Sequence, residues 1–394
     1  METSMFIKPQ LTHAAGIDIH KGSFKVCFYI LGELEELKEY ETYTCDLFTL
    51  RDDLLKLGIK DVLMESTGVY WIALCSVLME SGIRVCVANA MFIKNMPKEK
   101  TDRKDARWLC KLLVNGQVRN SFVVGEAQRA FRDLCRMRTQ YTGHITQAQN
   151  RIVKNLERRN IKLRSVVSSM DTKSAMAIVA ALAAGETDME RLLSLCRGKL
   201  RKKKELMRKA LQGVMQGHDR MVLQLLLDDI AHYKSVIAKV NLQIKAHTDK
   251  MNSQLISHLL EIKGVGPMST EIILAEIGDN VKPFATADKL SRWVGLAPGN
   301  NESGGKSKFT ATRKGNVYMR TAMIQIAWAA VRTRDTYWRA QYYHLTRRMH
   351  AKKAIVVIAR KLLQVIYKII KGTLEYKEYG GQFFADRLAA RKAS

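Results

Sequence analysis

At 394 residues, 47% of them hydrophobic, the chain can bury more than one core, and its length predicts two or three domains. Its 65 lysines and arginines against 38 aspartates and glutamates leave a formal charge of +27, which calls for a polyanionic partner, nucleic acid ahead of membrane. A membrane protein is not expected: the longest apolar runs, Ala175 to Ala184 and Ile355 to Ile370, are too short or are broken by Arg360, Lys361 and Lys368, and no N-terminal signal pattern is present. The expected setting is cytoplasmic. Cysteines 27, 45, 75, 86, 110, 135 and 196 are scattered without a Cys-x-x-Cys pair, which predicts reduced packing residues and neither zinc nor disulfides.

Ala14 to Ile19 and Phe24 to Ile30 read as strands joined by a hairpin turn at His20-Lys21-Gly22-Ser23, which places Asp18 in the first strand. Leu47 to Leu57 has helical spacing. Asp61 to Met64 is a short strand ending at Glu65-Ser66-Thr67-Gly68, with a helix through Leu78 and a further strand over Arg84 to Ala88. The helix predicted from Asp102 to Val114 sets Asp102 and Asp105 three residues apart, hence on one face, inside the basic run Lys100 to Arg107. Two carboxylates so close repel unless a cation lies between them, and a divalent ion held by oxygen ligands is the usual solution. The ordinary reading is a solvated helix start with acids favoured by the dipole. Singly, Asp18 also reads as a turn residue and Glu65 as a helix-capping acid. Together, an Asp on the first strand, a Glu at the end of a later one and Asp-x-x-Asp on the next helix form the pattern of an RNase-H-like, specifically RuvC-like, sheet. Such a set could hold two Mg²⁺ ions for phosphoryl transfer.

Beyond Ala127, a heptad seam passes through Phe131, Leu134, Tyr141, Ile145, Ala148, Ile152 and Leu156, interrupted by Arg138. A second runs from Val222 through Leu226, Ile230, Tyr233, Ile237, Val240, Ile244 and His247 to Met251, predicting two helices paired as a coiled coil or joined to a partner's, with His247 in packing or polar register rather than as a ligand. Between them, Arg201, Lys202, Lys203 and Lys204 form either a solvated face or a phosphate-tracking surface. Lys263-Gly264-Val265-Gly266-Pro267 between two helical stretches reads as a helix-hairpin-helix, in which glycines admit a phosphate to the backbone, or else as a packing turn. In Ser303-Gly304-Gly305-Lys306-Ser307-Lys308, the Ser303 hydroxyl could meet a phosphate held by Lys306, Lys308 and backbone N–H groups, although a serine in a glycine loop is also an ordinary turn residue. Tyr318 is a rival nucleophile whose spacing suits a helix face equally well.

The set Gly16-Ile17-Asp18, Glu65-Ser66-Thr67-Gly68, Thr101 to Ala106, Gly264 to Pro267 and Ala297-Pro298 through Lys306 resembles the DEDD transposases of insertion-sequence family 110, which include the pilin-gene invertases. The resemblance spans about residues 14 to 335. It implies Mg²⁺-dependent, site-specific DNA recombination, with Asp18, Glu65, Asp102 and Asp105 as metal-binding carboxylates and Ser303 as nucleophile. It also implies double-stranded donor and target DNA and a structured guide RNA as partners; pairing of the heptad seams between protomers predicts a homo-oligomer, dimer or tetramer on DNA. The expected fold class is α/β plus α. An RNase-H/RuvC-like mixed sheet covers 12–120, a helical coiled-coil connector 121–252, a mostly helical transposase domain with helix-hairpin-helix and serine loop 253–335, and a basic helical extension 336–394. The alternatives are a metal-dependent structure-selective endonuclease of Holliday-junction type, and a non-catalytic nucleic-acid scaffold.

Overall fold

The computed structural model describes residues 11–66, 68–88, 102–118, 121–299, 301–303, 306–309, 311–312 and 314–393, with backbone alone for 102–104, 301–303, 306–309 and 391–393. It divides into two compact units, Met1–Glu126 and Ala127–Ser394.

The first unit is built on β1 (His13–Ile19), β2 (Ser23–Ile30), β3 (Glu33–Leu34), β4 (Lys38–Glu41), α1 (Thr44–Lys56), β5 (Asp61–Glu65), α2 (Trp71–Glu80), β6 (Arg84–Ala88) and α3 (Asp102–Val114). The strands form one sheet in the order β3-β2-β1-β5-β6, with β4 also paired to β2. β1 and β2 are antiparallel, whereas β1, β5 and β6 are parallel, as expected for an RNase-H/RuvC-like mixed sheet. Nearly every residue of β1 is buried because helices cover both of its faces. Ile17, Ile19, Val62 and Met64 pack with Leu50 and Leu54 of α1 and Leu74 and Leu78 of α2. On the opposite face Ala14, Cys27 and Tyr29 pack with Ala106, Cys110 and Val114 of α3.

The second unit opens with the 33-residue α4 (Glu126–Arg158), which begins at the boundary. The short helices α5 (Leu163–Val166), α6 (Lys173–Ala183) and α7 (Met189–Ser194), a 3₁₀ segment (Gly198–Lys203) and α8 (Lys204–Ala210) follow, and the 32-residue α9 (Gly217–Thr248) returns. Phe131 stacks on His247 with ring centroids 5.5 Å apart. Arg138 Nη1 donates to Asn241 Oδ1 at 3.2 Å, Tyr141 meets Tyr233 at 5.8 Å, and Arg159 just beyond α4 pairs with Asp219 at 2.6 Å. As numbers rise on α4 they fall on α9, so the two helices run antiparallel. Each spans roughly 50 Å at 1.5 Å per residue. At their far end Ile152, Leu156, Leu223 and Leu226 share a core with Ile178, Val179, Leu193 and Met207 of the short helices. Both apolar seams are thus used within one chain, and His247 serves packing.

The remainder comprises α10 (Ser253–Leu260), α11 (Pro267–Ile277), α12 (Ala287–Val294), the hairpin β7 (Asn301–Ser303) and β8 (Lys306–Phe309), α13 (Val317–Arg332), α14 (Tyr337–Thr346), α15 (Ala351–Ile370) and α16 (Gly380–Ala393). α15 is no appendage: Ile358, Leu362 and Ile366 are fully buried, and Tyr367 donates its hydroxyl to the Phe284 carbonyl at 2.9 Å. No helix among the described residues is long and apolar enough to cross a membrane.

Candidate active site

Parallel pairing of β1 with β5 sets Ile17 opposite Met64, so Asp18 and Glu65 lie one step further along neighbouring strands. Side chains alternate between faces of a sheet. Ile17 and Met64 occupy the α1–α2 face, which sends Asp18 and Glu65 to the α3 face. Asp18 is 7% exposed, too buried for a solvated turn acid, and His20 Nε2 lies 3.0 Å from its Oδ2. Glu65, at the strand's last position, is half-buried.

Gly16 decides where α3 can lie. A Cβ on Gly16 would stand 2.3 Å from both the Ala106 carbonyl and the Cys110 nitrogen, so the helix backbone rests on the bare strand. The contacts also fix direction: Cys110 Sγ reaches the carbonyl of Ala14, further back along β1, while Ala106 meets Gly16. α3 therefore runs against β1 and turns its N-terminal end toward the strand end that carries Asp18 and Glu65. Asp105 is half-buried there; the Asp102 backbone belongs to the same turn, and its side chain lies outside the described residues. The donors are all hard carboxylate oxygens, which suits Mg²⁺ in kind. Among the described residues, however, no group of three or more His, Cys, Asp or Glu is spaced to hold one ion. Two of the cysteines behave as packing groups, burial pushing the Cys86 thiol up to about 11 and Cys135 up to about 12. We expect Gly16→Ala to force α3 off the sheet, lowering stability by about 1–3 kcal/mol, as overpacked cores do, and displacing Asp105. Unchanged melting of the purified variant would contradict that close approach.

Ser303 is the last residue of β7, paired with Lys306, the first of β8, across Gly304 and Gly305, which lie outside the described residues. The backbone here is a β-hairpin with Ser303 at its tip. Below it Pro298 bridges Thr312, and the Gly299 nitrogen donates to the Ala311 carbonyl at 3.1 Å. The stem is pinned between α12 and α13. Gly315 leaves no room for a Cβ, which would sit 2.4 Å from the Gly295 nitrogen, and Arg320 donates to the Gly295 carbonyl.

Of the predicted nucleic-acid contacts, Arg201, Lys202 and Lys203 are exposed at the end of a 3₁₀ segment, and Lys204 is exposed at the start of α8. Gly264 adopts φ +95° and packs where a Cβ would meet the Ile326 carbonyl at 2.5 Å, a structural reason for glycine. Gly266 caps α11 and faces open space, while the Lys263 N–H is engaged by the Tyr376 hydroxyl. The side chains of Lys306 and Lys308 lie outside the described residues. Tyr318 accepts from Gln140 at 3.2 Å and carries the Arg136 guanidinium 4.7 Å above its ring, a packing role.

Two family descriptions match the chain: an IS110-type DEDD transposase over residues 15–161, and Transposase IS116/IS110/IS902 family over residues 256–344. Together they take in more than half of it. The chain belongs to the IS110 family of DEDD transposases. A protein of Pseudomonas aeruginosa strain PAO1, named a probable family 20 transposase, is 28% identical over 40% of this chain and 46% of its own length. A Sinorhizobium fredii strain NGR234 protein, provisionally named transposase y4pF/y4sB, is 29% identical over 32% of this chain and 33% of its own. The chain thus matches less than half the length of these curated relatives. The first IS110 match takes in Asp18, Glu65, Asp102 and Asp105, and the second takes in Ser303 and its pinned stem.

Sequence reasoning passed over one further feature of this IS110-family chain. Glu276 on α11 is 1% exposed and receives Arg136 through two hydrogen bonds of 2.7 and 2.8 Å, Arg132 at 3.3 Å and Asn316 Nδ2 at 2.7 Å. Arg132 also donates to the carbonyls of Ala275 and Glu276 at the negative end of α11. Burial pushes that guanidinium below its ordinary value, a cost that the neighbouring carboxylate offsets. The network binds α4 to α11 and to Asn316, the N-cap of α13 that follows the serine hairpin. Arg138, which interrupts the apolar seam, belongs to a separate pair with Glu271, so the sequence carried no signal for this network.

Proposed function

We propose that the protein is a site-specific DNA recombinase that moves an insertion sequence, with the carboxylates of the first unit and Ser303 of the second supplying its chemistry. The observation that carries this reading is the delivery of Asp18, Glu65 and the N-terminal turn of α3, from three separate elements, to one end of the sheet. Asp18, Glu65, Asp102 and Asp105 would hold Mg²⁺, which when bound lowers the charge on a reacting phosphate and favours an ionised attacking oxygen. His20, bonded to Asp18, orients that carboxylate as an outer partner does. Ser303 Oγ forms the new bond to phosphorus, and the bond from phosphorus to the deoxyribose oxygen breaks. The serine proton is lost and the released oxygen leaves as a hydroxyl. A hydroxyl end of the exchanged strand then attacks the phosphoserine, restoring Ser303 and rejoining DNA.

Binding comes from elsewhere in the chain. Arg201 to Lys204, the Lys263-Gly264-Gly266 turn read as a helix-hairpin-helix, and Gly304 to Lys308 supply phosphate contacts. A structured guide RNA selects donor and target by base pairing, consistent with the +27 charge. The antiparallel α4–α9 pair acts as a coiled-coil arm, and the working form is a homo-oligomer on DNA in the cytoplasm. The test uses protein purified with its RNA and two plasmids bearing the ends of its own locus. Sequenced recombinant junctions are expected in Mg²⁺ and none in EDTA, with selectivity lost after ribonuclease treatment. Cutting without rejoining would select the endonuclease reading, and binding without cutting the scaffold.

A further inference from the structure

The C-terminal helices build a cleft that the chemistry above leaves unused. α14, the segment 374–379 and α16 border two adjoining hollows of about 380 and 290 Å³, sharing Tyr337, Trp338 and Arg387 in their walls. That size falls at the lower end of small-ligand sites. Tyr379 and Phe383 stack on each other, with centroids 4.5 Å apart and planes 23° from parallel, yet they remain 55% and 39% exposed. An open stacked pair of aromatic rings is a platform awaiting a further flat group.

The charges around it are mostly positive. Lys377 stands 5.9 Å from the Tyr379 ring centroid, Arg387 edges both hollows, and Lys368 lines the smaller. Glu375 and Glu378 line the larger. Glu378 is already engaged, accepting from the Tyr337 and Gly380 backbone at 2.8 and 3.1 Å and from the Tyr376 hydroxyl at 2.6 Å. Gln341, in the wall of the smaller hollow, is an independent sign of a missing ligand. It is 5% exposed, its Nε2 reaches the Tyr337 hydroxyl at 3.4 Å, and its Oε1 has no hydrogen-bond partner. Whichever way the amide is turned, one of its polar atoms stays unmatched, and buried polar atoms normally are matched.

We propose that this cleft binds unpaired nucleotides of single-stranded DNA, one base stacking on Tyr379 and Phe383 and the next entering the hollow beside Gln341, with Lys377, Lys368 and Arg387 toward the phosphates. Stacking accepts any base because every base has a π-face, and it needs a strand whose bases are not already stacked in a duplex. A peptide would account for the apolar rings but not for the basic rim. The choice of DNA rests on the recombinase reading, in which strand cleavage exposes unpaired ends. The test reads binding alone, so its failure is separate from failure of catalysis.

Full-length, nuclease-treated protein would be titrated into a short fluorescein-labelled DNA strand, the RNA of the same sequence and the corresponding DNA duplex, followed by anisotropy. Tyr379→Ala and Phe383→Ala should each weaken single-stranded DNA binding roughly 5- to 100-fold, the range for losing one stacked base, while leaving the duplex within about twofold. Tyr379→Phe should retain affinity, and Lys377→Ala should lower the salt slope by about 1. Unchanged affinity in alanine variants that melt like the parent, equal losses on the duplex, or tighter RNA binding with the same losses would each overturn the proposal. Should either alanine variant melt early, Lys377→Ala with an unchanged salt slope would do the same.

Discussion

Glu276→Ala should destabilise the second unit by about 3–5 kcal/mol, because it strands two arginines in a site built around one carboxylate. Glu276 is 1% exposed, and the side chains of Arg132 and Arg136 are 12% and 32% exposed, so water can replace little of what is lost. For a unit of this size that loss corresponds to a fall in melting temperature of roughly 10 °C. The effect should extend to the serine hairpin. Asn316 gives its side-chain N–H₂ to Glu276 and its Oδ1 to the Met319 nitrogen at 2.9 Å, so the carboxylate helps set where α13 begins and where the β7–β8 stem ends. Loss of DNA cleavage at temperatures where the variant is still folded would accompany the thermal shift. A melting temperature within about 2 °C of the parent would show that the network is decorative.

Asp18→Asn is expected to remove strand cleavage while leaving nucleic-acid binding within about twofold, since the phosphate contacts proposed above lie in other parts of the chain. The substitution preserves shape and keeps one oxygen toward His20 Nε2 but removes the charge that would hold a cation. Loss of an outer partner alone costs 10- to 100-fold in metal affinity or activity, so the loss of a direct ligand should exceed roughly 100-fold. The measurement pairs a plasmid-nicking assay in Mg²⁺ with a filter-binding isotherm on the same preparation. Full cleavage by Asp18→Asn would remove Asp18 from the chemistry, and a matching loss of binding would point to misfolding.

The sheet was legible because its central strands announce themselves. β1, β2 and β5 are branched or small apolar runs bounded by turn residues, and the sequence bounds fall within a residue of the observed ones. The edge strands β3 and β4 were invisible for the opposite reason. In Lys38–Glu41 only Tyr40 is buried, so a charged edge carries almost no hydrophobic period. Both long helices were readable from their seams, although a seam does not name its partner. The antiparallel pairing depends on Phe131 meeting His247 and Arg159 meeting Asp219, contacts that span 60 residues or more. The segment after Thr336 gave no motif, and α15 proved central through packing alone. At the site, the order of the four acids was legible, whereas Gly16 as the reason α3 lies so close was not. A glycine's lack of a Cβ acquires meaning only when another backbone occupies its place. The hairpin around Ser303 reads in sequence as a glycine loop because two glycines and six polar residues hide a strand pair only seven described residues long.

The most direct test of the proposed chemistry is to map the covalent bond. Purified protein with its RNA would be incubated in Mg²⁺ with a supercoiled plasmid carrying its own locus, quenched in denaturant, digested with nuclease and protease, and analysed by mass spectrometry. The expected result is a nucleotide remnant on the peptide containing Ser303, absent when Ser303→Ala is used although that variant still binds DNA. Cleavage without any adduct, or an adduct on Tyr318 or another residue, would contradict it.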